Sequence, residues 1–181
     1  MPGSTTMKKI IILLIIIVIV AFGVCWYLEK SKKQVVVNSF EECAVQGYPI
    51  LESYPQQCKT PDGKTFAEDI GNELEKQDLI RVANPRPNTL VASPLEITGE
   101  ARGYWFFEAS FPIKLLDGNG NLLGIAIAQA KSDWMTEDFV SFEATLEFQT
   151  LTTEKGTLIL EKDNPSDLPE NADELRIPVL F

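Results

Sequence analysis

The residues that could do chemistry are best found by elimination. The chain of 181 residues has no histidine. That removes Ser-His-Asp and Cys-His catalysis and every histidine-containing metal site. Three cysteines remain: Cys25, Cys43 and Cys58. Cys25 lies inside an apolar run, which leaves Cys43 and Cys58 to pair and Cys25 as a lone thiol. Their spacing is not C-x-x-C, and two cysteines alone do not complete a structural zinc site. A structural disulfide is therefore expected rather than a redox or metal pair. Closing a loop of about 15 residues would contribute roughly 3 kcal/mol in the chain-entropy model.

Two acidic stretches have oxygen ligands to offer. Asp117, Asn119 and Asn121 have the opening spacing of a calcium loop. Position six is Leu122 rather than glycine and position twelve is Ala128 rather than glutamate, so a plain hairpin is expected there. Asp163, Asp167 and Glu170 could gather a calcium ion, against the plainer reading of a solvated turn. Trp134 and Met135 sit in the polar stretch Ser132–Asp138. A tryptophan there could stack on a sugar or anchor a partner, or fold back over one end of the domain. Phe106, flanked by Trp105 and Phe107, would point away from the core if the strand pleat holds, and would join an apolar surface patch. A glycosidase needs two carboxyls about 5–10 Å apart across a cleft. Short-looped strands offer little cleft, so no catalytic residue, no enzyme and no cofactor are expected.

The elements that hold these residues begin with Ile10–Leu28, IIILLIIIVIVAFGVCWYL. This stretch has no charge and is long enough to cross the ~30 Å hydrocarbon core as a helix. Three readings compete: a retained signal-anchor, a signal peptide cleaved near Ala21-Phe22-Gly23, and a lipoprotein acylated at Cys25. The retained anchor is expected, with residues 1–9 in the cytoplasm and the rest outside. Lys30, Lys32 and Lys33 weakly favour the opposite orientation, but a cysteine pair belongs in an oxidising compartment. Of the 16 basic residues only Lys8 and Lys9 precede the run, and all 26 acidic residues follow it, so the remainder carries a formal charge of −12. Such a surface excludes nucleic acid as a partner and disfavours adhesion to anionic lipid.

After a linker at 29–38, residues 39–70 read as a small disulfide module. Ser39 or Asn38 can cap a short helix over Glu41–Gln46, which Gly47 would end. Pro49, Pro55 and Pro61 should keep the rest irregular, with a turn at Pro61-Asp62-Gly63. Residues 71–78 read as a charged linker. From 79 to 181 the pattern becomes period two. Strands are expected at Leu79–Val82, Leu95–Ala101, Trp105–Leu115, Leu122–Lys131, Val140–Gln149, Thr157–Glu161 and Leu175–Phe181. In the third, Trp105, Phe107, Ala109, Phe111, Ile113 and Leu115 would share the inner face. Seven short strands without a helix predict an all-β sandwich.

The stretches SPLEITGEARGYWFFEASFPIKLLDGNGNLLG, AQAKSDWMTEDFVSFEATLEF and GTLILEKDNPSDLPENADELRIPVLF resemble the immunoglobulin-like domain of bacterial spore germination proteins. The closest likeness is to the version in membrane-anchored envelope proteins. Residues 39–70 are also similar to the cysteine-pair segment that often precedes it. The resemblance implies a seven-strand immunoglobulin-like sandwich used for binding or envelope organisation, with no catalytic residues. The expected partner is an envelope protein; the alternative is a cell-wall or surface glycan, and a hydrolase is less favoured. A germination role does not follow, because fold does not fix function.

Overall fold

The computed structural model describes residues 14–24, 26, 36–149 and 153–181. Contacts divide the chain into two units, Met1–Asn38 and Ser39–Phe181. In the first unit residues 14–24 are helical, and Leu14 through Val20 are all more than half exposed. No helix among the described residues is long and apolar enough to cross a membrane. Residues 10–13, 25, 27 and 28 of the expected span lie outside the described residues.

The second unit opens with the cysteine module. The Ser39 hydroxyl accepts the Glu42 N–H at 3.1 Å and caps helix α1, Phe40–Val45. Gly47, at φ 73°, follows the end of that helix. Cys43 on α1 is bonded to Cys58, with a Cα–Cα distance of 6.0 Å, and both are fully buried. Three short strands, β1 (Ile50–Leu51), β2 (Gln57–Lys59) and β3 (Thr65–Ala67), pair antiparallel in chain order. The segment is thus more regular than its prolines suggest. Pro49 immediately precedes β1, and Pro55 and Pro61 fall between strands, so all three limit strand length without removing a ladder donor. Pro61-Asp62-Gly63 makes the β2–β3 turn, with Gly63 at φ 89°.

Residues 71–78, expected as linker, hold a one-turn helix α2, Glu73–Lys76. Glu73 is buried, 7 % exposed, and accepts from the Tyr54 phenol and from Arg86 at 2.5 and 3.1 Å. Arg86 also donates to the Tyr54 oxygen at 2.6 Å. Asn88 donates to Glu68 and to the Asp69 carbonyl. These bonds lock module and sandwich into one compact unit.

Burial beside Glu73, then the hydrogen bond and charge of Glu73 itself, push the Tyr54 phenol up to about 12. A raised folded value keeps the phenol protonated, so its stabilising share is whole below the unfolded phenol's value near 10. It is lost as pH climbs through roughly 10 to 12. Melting temperatures across that window should fall more steeply for the native chain than for Tyr54→Phe; parallel curves would sever Tyr54 from the alkaline transition.

The sandwich has seven strands: β4 (Ile80–Asn84), β5 (Leu95–Arg102), β6 (Ser110–Asp117), β7 (Leu122–Ala130), β8 (Phe139–Leu146), β9 (Lys155–Glu161) and β10 (Glu174–Leu180). They hydrogen-bond in the order β10-β9-β6-β7-β8-β5-β4. β7 and β8 share only two pairs, Gln129↔Glu143 and Ala130↔Phe142, and there the sheet folds into two layers. Phe111 of β6 shows it. Its ring lies 4.9 Å from that of Phe142 on β8, although β7 separates the two strands in the order. Strands two apart in a flat sheet would stand almost 10 Å from each other. Alternation fills the space between the layers with Leu95, Ile97 and Ala101 of β5, Val140, Phe142, Ala144 and Leu146 of β8, and Leu175, Ile177 and Val179 of β10. The outer edge of β10 is closed by the chain itself. Asn72 pairs with Arg176 and Glu174, Asn88 N–H donates to the Pro178 carbonyl, and residues 89–91 bond Leu180.

Trp105–Leu115 is not one strand. Gly103–Trp105 is a 3-10 turn, and β6 starts only at Ser110. The pleat is broken, so Phe106 is a core residue, 3 % exposed and edge-on to Phe111 at 5.2 Å. Phe107, expected inside, is 41 % exposed. The surface-patch expectation for Phe106 is therefore corrected: its neighbour takes the outer position.

Candidate functional site

Three connections meet at one end of the sandwich: 103–109 between β5 and β6, 131–138 between β7 and β8, and 162–173 between β9 and β10. Gly103 is their hub. Its N–H donates to the Asp138 carbonyl at 3.1 Å, and a Cβ there would overlap the carbonyl oxygens of Trp134 and Thr136. Only glycine lets the chain approach so closely. Two residues on, the Trp105 carbonyl accepts the Asp163 N–H at 3.0 Å, which joins the third connection.

Phe107 and Ser110 then exchange both main-chain hydrogen bonds across a two-residue turn. Glu108 and Ala109 sit at its corners with φ of 48° and 62°. Two consecutive positive φ angles normally demand Asn-Gly, because a Cβ costs about 1–2 kcal/mol in that region. Glu108→Asn with Ala109→Gly should therefore raise stability by about 1–2 kcal/mol in denaturant unfolding. An unchanged midpoint would show the turn to be relaxed. Strain of this kind collects at binding and switch regions.

The end offers Tyr104, 49 % exposed, Phe107 and Met135, 77 % exposed, as apolar contact groups. Trp134 is only partly exposed and packs against the core. Asp133 accepts the Met135 N–H at 3.0 Å and shapes the loop that turns Met135 outward. Burial pushes the Asp163 carboxyl above its ordinary range; a hydrogen bond from the Asn164 backbone opposes this, and the nearby Glu108 charge adds to it. Beside it runs a cleft of about 600 Å³ lined by Pro112, Glu161, Lys162, Asp163, Asn164, Asp167, Ala172, Asp173 and Glu174. The chemistry on offer is apolar and aromatic contact with an acidic border.

Among the described residues no group of three or more Cys, Asp or Glu could hold a metal ion. Asp163, Asp167 and Glu170 are thus not gathered as a calcium site. Asn164, Ser166, Leu168 and Asn171 instead bond one another within that loop. At the other suspected loop the Asp117 carboxylate is taken up by the N–H groups of Asn119 and Asn121 at 2.9 and 2.8 Å, the work of a hairpin turn. Tyr104 and Phe107 were missed by sequence reasoning. The available signal was the run Tyr104-Trp105-Phe106-Phe107, since four consecutive aromatics cannot all share one face of a strand.

Residues 79–168 match the family model of the immunoglobulin-like domain of bacterial spore germination. No curated protein and no solved structure matches the chain. The matched segment runs from the start of β4 into the β9–β10 connection, and so contains the first two loops of this end whole and residues 162–168 of the third. Residues 79–168 therefore belong to the family of the immunoglobulin-like domain of bacterial spore germination.

Proposed function

We propose that this protein is a single-pass component of the bacterial cell envelope, held by Ile10–Leu28, whose extracytoplasmic sandwich is a non-catalytic binding or assembly module. The observation that carries the reading is the loop end, where Tyr104, Phe107 and Met135 are exposed on connections fixed to a rigid core. Loops on a packed scaffold are the usual place for recognition, and exposed aromatics and methionine are enriched where partners bind. Two features support the location. A helix that is apolar on every side belongs in lipid or in a protein core, and the Cys43–Cys58 bridge suits an oxidising compartment.

The test is cross-linking capture from envelope extract with the full chain, against the triple variant Tyr104→Ser, Phe107→Ser and Met135→Ser. A protein partner held by the native chain and lost by the variant, with unchanged melting, supports the reading. Equal capture by both removes the loop end as the docking surface. The alternative partner is a wall glycan stacked on Tyr104 and Phe107. Titrating the full chain with wall glycans should then perturb the fluorescence of the half-buried Trp134, and a flat titration dismisses that alternative.

A further inference from the structure

Asn72 stands at the N-cap of α2, where an asparagine side chain normally accepts a helix N–H, yet its side chain makes no such bond. It reaches β10 instead. The amide nitrogen donates to the Glu174 carbonyl at 3.0 Å, and the amide oxygen accepts the Arg176 N–H at 2.7 Å. The Asn72 main-chain N–H donates to the Arg176 carbonyl at 3.3 Å. A residue 102 and 104 positions away in the chain thus bonds β10 much as a neighbouring strand would. Gly71 makes the approach possible. A Cβ there would overlap the Arg176 carbonyl oxygen, and its φ of 68° suits glycine.

Glu174, Arg176, Pro178 and Leu180 are the alternate residues whose main-chain groups face away from β9. Glu174 N–H bonds the Asp173 carboxylate at 2.8 Å. Pro178 has no N–H, and its carbonyl accepts from Asn88. Leu180 bonds Thr89 and Val91 through its N–H and carbonyl. With Asn72 in place, every outward main-chain group of β10 has a partner. Without it, the Glu174 carbonyl and both groups of Arg176 would stand open in a row, a template for an incoming strand. The side chains would not deter a second copy. A two-fold antiparallel register sets Glu174 opposite Arg176 of the other copy, so the charges attract. Asn72 and β10 both lie outside the matched residues 79–168. We propose that Gly71-Asn72 is an edge guard, a two-residue stand-in for a strand that keeps β10 from pairing with β10 of another copy. This role is separate from the loop end and does not depend on a partner being bound there.

The experiment compares the native full chain in detergent with Asn72→Ala, which deletes the side-chain bonds, and Gly71→Ala, which pushes the segment off the strand. Neither residue belongs to the core cluster. In amide exchange, Arg176 N–H should exchange about tenfold faster or more in both variants, while Leu175 and Ile177, whose N–H groups point toward β9, keep their rates. In sedimentation equilibrium with density-matched detergent, both variants should associate about tenfold more tightly than the native chain. Adding Arg176→Pro to Asn72→Ala should return association to the native level, because proline leaves no N–H on that edge. Unchanged Arg176 exchange would show that Asn72 shields nothing and overturns the proposal. Association no tighter than in the native chain overturns it as well. So does tighter association that survives Arg176→Pro, since it would not run through the β10 edge.

Discussion

Replacing Trp105 with alanine should lower the free energy of unfolding by about 3–5 kcal/mol, the range for deleting a buried aromatic. The ring is fully buried and belongs to the cluster shared by the two layers. A domain of this kind holds only about 5–15 kcal/mol in all, so the loss is a large part of the total. The indole Nε1 has no hydrogen-bond partner among the described residues, which makes the side chain valuable for its volume rather than for its polar end. Trp105→Phe keeps most of that volume and removes the orphan donor, so it should cost clearly less than alanine. The same residue organises the loop end, because its carbonyl receives Asp163 and its turn begins at Gly103. Amide exchange over 131–138 and 162–173 should therefore quicken in Trp105→Ala beyond what the global loss explains. Urea unfolding gives the first number and exchange the second. A loss below about 1 kcal/mol would place the ring outside the working core.

How much of this was legible depended on how local the deciding forces are. Leu95–Ala101, Val140–Leu146 and Leu175–Val179 alternate cleanly, and each became a strand with its apolar face inward. There the pattern that the core selects is written in the residues themselves. The Ser39 cap is equally local: a hydroxyl three residues before the N–H it accepts. Phe106 failed because its orientation is set by a turn without a turn signature. Nothing in Glu108-Ala109 announces two positive φ angles, and only the tertiary hold on Gly103 and Ala109 makes them tolerable. The stretch 71–78 hid its role for a related reason. Glu73 looks like one more solvated acid, yet its partners Arg86 and Tyr54 lie 13 and 19 residues away in the chain. At the loop end, sequence placed Trp134 and Met135 together; the close approach of Gly103 to the Trp134 carbonyl accompanies the opposite outcome for their side chains, one against the core and one in solvent.

Loss of the Cys43–Cys58 bridge should act on one part of the molecule. The bond spans a separation of 15 residues, for which the chain-entropy model gives about 3 kcal/mol. The module around it has few resources of its own. Between residues 39 and 69 the only buried side chains are Cys43, Cys58 and Thr60, and its strands are two or three residues long. A segment with so little core cannot offset its backbone entropy without a staple. The sandwich keeps its own core, in which neither cysteine takes part. The double variant Cys43→Ala, Cys58→Ala should therefore lose amide protection across residues 40–67 while β5, β6, β8 and β9 stay protected. Uncoupling should follow at the latch, since Tyr54 sits in the module and Arg86 in the sandwich. The steep alkaline fall that Tyr54 brings to the native chain should accordingly flatten in the double variant. Protection over 40–67 that survives in the double variant would show that Glu73 and Arg86 hold the module in place unaided, and the bridge would then be dispensable to the fold.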